Sequence, residues 1–270
     1  MEEDEASDLQ KFPPDVHKWM KQNAKPKMAV KLMKVCKYFK HKNGFPFLVV
    51  KRVTNKIRDL WTSRTLNNEV CNIEDIEKKL WITGRIRCTT WRSNAISNLL
   101  AKTVVCDLRK LILKNQNITL NEFKKLTEGG NVVICNMQQT LITDKNDEIV
   151  SLEDICECLP NVRKIHFGAK LAKIVSLEAV ESKMSQKMED FTLSILFGSD
   201  EDFDLQRFLE YIKKHQQIRY KLRLCGITFD EYVQKYAPSV KKVSEEWSPE
   251  CERPEIVFVK LCYHYYSADD

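Results

Sequence analysis

Two thiols one residue apart, Cys156 and Cys158, followed by His166, raise the question of zinc. Structural zinc sites usually space a thiol pair as Cys-x2-Cys and add a second ligand pair. Here the spacing is shorter, no second pair lies nearby, and both cysteines fall on an expected helix. Asp200, Glu201, Asp202 and Asp204 could hold a cation, but they immediately precede a helical segment, where negative charge complements the N-terminal dipole. His17, His41, His215 and His264 have no evident partner in the sequence. Phosphate-binding glycine loops, nucleophile elbows and His-Glu-x-x-His helices are missing from the chain. Gly129-Gly130, the one double glycine, falls where a helix would end and reads as a cap. We therefore assign no catalytic residue, metal ligand or cofactor and expect no enzyme.

Charge carries more information. Between Lys11 and Arg64 there are fifteen Lys and Arg against only Asp15 and Asp59, in a chain whose net charge is +6. A basic end of this kind fits an acidic partner. Nucleic acid is the weaker reading, because the lysines at 18, 21, 25, 27, 31, 34, 37, 40 and 42 surround the helices rather than forming one stripe. Trp19, Tyr38 and Phe39 could stack on bases, but their helical spacing reads more simply as core. The ten cysteines are scattered through apolar runs without the spacing of a disulfide scaffold, and fit reduced, buried thiols. Residues 1–11 are acidic and read as a disordered terminus. No apolar stretch approaches the roughly 20 residues that a membrane span requires, so a cytoplasmic or nuclear protein without a membrane partner is expected.

Two kinds of element must position these residues. Over residues 12–50, Val16, Trp19, Met20, Met28, Ala29, Leu32, Val35, Cys36 and Phe39 recur at three- and four-residue steps, the period of short helices. Pro13, Pro14 and Pro26 suit helix starts. Over residues 62–266, apolar strands at 85–88, 108–113, 132–137, 162–167, 191–197, 218–224 and 255–263 alternate with helices near 121–128, 152–158, 176–188, 204–215 and 229–236. Thr119 with Glu122, Ser151 with Asp154 and Thr228 with Glu231 supply the hydroxyl and carboxylate that cap helix starts. Pro160 and Pro238 are expected to stop the second and last of these helices. Strands separated by helices imply parallel pairing.

The strand rhythm also resembles leucine-rich repeats. Leu108, Leu111, Leu113 and Ile118 fill the apolar slots of that signature, as do Val162, Ile165, Phe167 and Ala172, while Met188, Phe191 and Leu193 begin a third match. The slot that normally holds asparagine carries Gln116, Lys170 and Leu196, and Val132–Met137 is out of phase. The expected fold class is thus α/β: a small helical module at 12–50, then an irregular leucine-rich-repeat-like solenoid at 62–266 with a mostly parallel sheet, the alternative being an ordinary open α/β sheet. Arg109, Lys164, His166 and Lys221, on its strands, are candidate contacts for a target.

Phe12-Pro13-Pro14-Asp15-Val16, a helix, a Lys-Pro-Lys turn, Met28, Leu32 and Val35-Cys36-Lys37-Tyr38-Phe39 resemble the F-box. Phe12 stands for its leucine, Asp15 for its glutamate and Phe39 for its tryptophan. The combination is similar to nematode F-box proteins with leucine-rich or FTH-type C-terminal regions. That resemblance implies a substrate receptor of an SCF-type ubiquitin ligase, docked on a Skp-family adaptor, and through it a cullin, by Phe12, Pro13, Val16, Met20, Met28, Leu32, Val35 and Phe39. Its protein target is left open. The competing reading of these apolar residues is that they pack on the protein's own second region. Competing functions are a nucleic-acid binder using the basic segment and an interaction scaffold with no ubiquitin link.

Overall fold

The structure, a computed structural model, describes residues 13–24, 26–35, 39, 47–55, 60–90, 92, 94–168, 177–196, 205–225, 228–247 and 254–259. Phe12, Tyr38, His41, Lys170, Ala172, the acidic run at 200–204 and His264 lie outside them. Helices α1 (Pro14–Asn23) and α2 (Pro26–Val35) each open on a proline, where a missing N–H costs no helical hydrogen bond. The module expected over residues 12–50 overlaps the start of β1 (Phe47–Asn55). Its opening Phe-Leu-Val-Val run suits a strand covered on both faces. Val49 is buried on one face and Val50 on the other.

Two strands that the sequence reading did not separate, β2 (Trp61–Thr65) and β3 (Val70–Asn72), pair antiparallel in series with β1. From there every new member of the sheet is parallel. These are β4 (Lys79–Cys88), β5 (Thr103–Lys114), β7 (Ile134–Gln138), β9 (Lys164–Phe167), β10 (Asp190–Leu196), β11 (Arg219–Cys225) and β12 (Glu255–Val259). The ten-stranded order is β3-β2-β1-β4-β5-β7-β9-β10-β11-β12. Two short strands, β6 (Asn117–Thr119) and β8 (Leu141–Thr143), form a separate parallel pair.

The helices between these strands are α3 (Ala95–Ala101), α4 (Leu120–Thr127), α5 (Leu152–Glu157), α6 (Leu177–Lys183) and α7 (Leu205–Lys214). Leu99, Phe123, Ile155, Val180 and Phe208 from these helices join Ile86, Leu111, Cys135, Ile165, Phe191 and Leu222 from the strands in one core on a single face of the sheet. The expected caps form as written: Thr119 and Thr228 make reciprocal boxes with Glu122 and Glu231, and the Ser151 hydroxyl accepts from the Asp154 N–H at 3.3 Å. Gly130, at φ +66°, closes α4 by donating its N–H to the Thr127 carbonyl at 2.8 Å.

One expected boundary is overturned. The helix beginning as α8 (Phe229–Glu231) does not stop before Pro238; it passes through a π-helical turn, Tyr232–Tyr236, into α9 (Ala237–Glu245). Proline lacks the N–H of the usual ladder and its ring crowds the carbonyl four residues back. The wider turn just before it lets the helix continue.

Candidate functional site

The face opposite the large core is divided. At the start of β1 and β4 it is covered by the N-terminal helices: Ala29, Phe39, Val49 and Trp81 form a small buried cluster, with Met20, Leu32, Met33, Phe47, Leu66 and Val105 packed against it. Phe39 meets His17 edge-on at 5.8 Å between ring centres, and Phe47 lies 5.5 Å from Trp81. Of the proposed adaptor contacts, Met20, Leu32 and Phe39 are therefore turned toward the protein's own sheet. Pro13 is exposed, Val16 half-buried, and Met28 retains 52% of its surface; Val35 ends α2, and Phe12 lies outside the described residues. Trp19, expected in a core, is 64% exposed.

From β7 to β12 the same face carries polar side chains in register. One row runs Ile134, Lys164, Asp190, Arg219, and the next runs Asn136, His166, Thr192, Lys221, Glu255. Together they line an open cavity of about 460 Å³. The parallel register makes the site, since residues far apart in sequence take equivalent places on adjacent strands about 4.8 Å apart. Asp190 lies between two cations, pairing with Lys164 and, at 2.7 Å, with Arg219. Lys221 pairs with Glu255.

His166 sits among these charges with its pKa lowered to about 4, first by burial and then by Arg223 and Lys221. It is thus a neutral imidazole at neutral pH. Beside it the Asn136 side-chain oxygen is buried without a hydrogen-bond partner. Cys135 borders the cavity but points into the core, where burial pushes its thiol pKa far up, so it offers no thiolate. The arrangement can hold charged and hydrogen-bonding groups of a partner, and it presents no activated nucleophile.

Lys164, His166 and Lys221, three of the four target contacts chosen from the sequence, come together here. Arg109 does not. It occupies an extra residue of β5, between the pairs Gly84↔Leu108 and Arg85↔Lys110, and stands exposed outside the cavity. The reading missed Asp190, Arg219 and Glu255, which fell at or just beyond its strand ends and meet the chosen lysines only through the register of the strands. Cys156 is buried in the core with its pKa raised to about 12 by burial, and the Cys158 thiol donates to the Asp154 carbonyl within its own helix. His166 is on the other side of the sheet from both. His215 has the partners the sequence did not reveal: the Tyr211 carbonyl and Glu181 Oε1, each at 2.9 Å.

No protein-family model, curated protein or solved structure matches the chain.

Proposed function

We propose that the protein is a non-enzymatic recruiting subunit of an SCF-type ubiquitin ligase. Its N-terminal helix pair is an F-box-like module that meets a Skp-family adaptor, and through it a cullin. The α/β region is a leucine-rich-repeat-like solenoid whose uncovered sheet face takes a protein target. The observation that carries this reading is the asymmetry of the sheet: helices α3 to α7 bury one face, while β7 to β12 leave the other lined by Lys164, His166, Lys221 and their charged neighbours. Repeat proteins commonly use such a face for binding.

Ties between successive units support the solenoid reading. Gln116, in the slot of the repeat asparagine, is fully buried and donates its Nε2 hydrogen to the Thr90 carbonyl of the preceding turn at 2.9 Å. Along the strand starts, Val133 accepts from the Arg163 N–H, Arg163 from the Glu189 N–H, and Glu189 from the Arg219 N–H, each at 2.8 Å. On the helical side, Lys183 reaches Glu157 at 2.7 Å and Arg207 reaches Glu178 at 3.2 Å.

The test is co-purification of the full chain, expressed together with a Skp-family adaptor and a cullin. We expect both to be recovered with wild type. The Phe12→Ala, Pro13→Ala, Met28→Ala variant, which leaves Met20, Leu32 and Phe39 of the small cluster intact, should lose the adaptor and the cullin while keeping its circular dichroism. A chain that captures protein targets but never the adaptor would replace this reading by a scaffold with no ubiquitin link.

A further inference from the structure

The sheet face differs sharply in charge balance along its length. In the cavity half, the cations of the two rows have a carboxylate on a neighbouring strand, Asp190 for Lys164 and Arg219 and Glu255 for Lys221, while Arg223, a step further along β11, makes no such pair among the described residues. In the half built from β2, β1, β4 and β5 the register places Arg64 beside Arg52, Arg52 beside Arg85, and Arg85 beside Lys110. Arg87 stands one step further along the face, between Thr54 and Ile112. These five cations share the face of Trp81, opposite the face that carries Val53, Ile86 and Leu111. Arg52, Arg64 and Arg87 are exposed, and Arg85 and Lys110 are half-exposed.

None of the five makes an ion pair within the described residues. An acid on this face, Asp107, lies one step back opposite Thr83 and accepts from Asn131 Nδ2 at 2.7 Å. Like charges placed directly opposite one another weaken a strand pair, so an unbroken cationic row works against the fold that carries it. The row is held by backbone geometry: Gly84, at φ +92°, forms the bulge that brings Arg85 level with Arg52, and a Cβ there would stand 2.7 Å from the Lys51 carbonyl oxygen.

We infer that the row Arg64, Arg52, Arg85, Lys110, with Arg87 beside it, is a docking strip for an extended acidic segment, rich in aspartate and glutamate, of the recruited protein. The inference rests on the reading of the sheet face as a target surface and is independent of the adaptor. Guanidinium groups pair carboxylates bidentately, and three adjacent strands offer such groups, with the Lys110 ammonium on a fourth, over about 14 Å. A polypeptide fits better than a nucleic acid. From β2 to β5 the rows through Arg85 and Arg87 hold no aromatic side chain on which a base could stack.

The full chain is titrated with a fluorescein-labelled peptide of alternating glutamate and glycine, its glutamine counterpart, and labelled oligothymidine, read by fluorescence anisotropy. The glutamate peptide should bind and the glutamine peptide should not. Arg52→Gln, Arg85→Gln should weaken binding about tenfold or more, as for loss of close charge pairs across an interface, with unchanged circular dichroism. Lys124→Gln, on the helical side, should bind like wild type. Equal loss in the Lys124 variant, absence of glutamate-peptide binding, or tighter binding of oligothymidine would overturn the inference. So would glutamate-peptide binding seen only after deletion of residues 1–11, which would make the chain's own acidic segment the occupant. Because the Skp adaptor is absent from this assay, peptide binding would stand even if co-purification of the adaptor failed.

Discussion

The two apolar clusters on opposite faces of the sheet are built differently. The larger extends from Val50 to Trp247 and is supplied piecewise, each strand and helix adding a few side chains to those of its neighbours. The smaller is centred on Ala29, Phe39, Val49 and Trp81, and joins the N-terminal helices to strands that follow them in the chain. Damage in the first should spread through the cooperative fold. The second can open locally, because α1 has no fully buried residue and leaves Trp19 exposed.

The strongest challenge to this contrast is Phe123→Ala, which empties a fully buried site on α4 beneath β5. We expect a loss of about 3 to 5 kcal/mol, the range for removing a buried aromatic ring. Urea unfolding followed by circular dichroism and by tryptophan fluorescence should move together. Two separated transitions would mean that the large core is not one cooperative unit.

Trp81→Ala should do less to the whole and more to one part. Its ring is 2% exposed and packs in the small cluster near Phe47. Global stability should fall by about 2 to 3 kcal/mol, below the usual figure for a core tryptophan, since the helix pair can yield without the sheet. Hydrogen exchange provides the check: amides of α1 and α2 should lose protection while those of α4 keep theirs. Uniform loss would make the small cluster an integral part of the fold.

The same contrast explains what could be read from the sequence. The strands of the large sheet from Leu108 onward and their capped helices were legible, though the short pair β6 and β8 was not, because period, cap and turn agree locally: Thr119, Ser151 and Thr228 mark helix starts whatever the distant packing does. β1 to β3 were not. Phe47–Val50 is apolar throughout, a pattern shared by helix and strand, and the bulge at Lys51 breaks the alternation that would have marked the rest. The inward direction of Met20, Leu32 and Phe39 was equally hidden, since an amphipathic helix does not say whether its apolar stripe meets its own chain or another. Gln116 departed from the repeat pattern, yet its longer side chain still reaches the neighbouring turn. In the site, Lys164, His166 and Lys221 could be chosen by alternation alone. The carboxylates that pair the lysines depend on register across strands, which sequence spacing leaves undetermined.

The smallest expected effect concerns pH and the polar face. His166 has its pKa lowered from 6.5 to about 4 by burial and by the neighbouring Arg223 and Lys221. In the unfolded chain these causes vanish and the imidazole takes up its proton near its ordinary value. As pH falls through the window from 6.5 to about 4, the unfolded state therefore binds more protons than the folded state, and stability drops. Above the window both states are neutral here, and below it both are protonated, so the contribution to the slope ends. The half-open setting lets solvent screen part of the effect. His166→Asn removes the proton site while keeping a polar side chain between Asn136 and Thr192. Its melting temperature should consequently fall less than that of wild type between about pH 7 and pH 4, although acids elsewhere still titrate in both proteins. Identical slopes would mean that Lys221 and Arg223 swing clear of the imidazole in solution. A steeper slope in the variant would mean that the protonated imidazole is stabilised by Asp190 or Glu255, and the charge balance of the cavity half would then need to be redrawn.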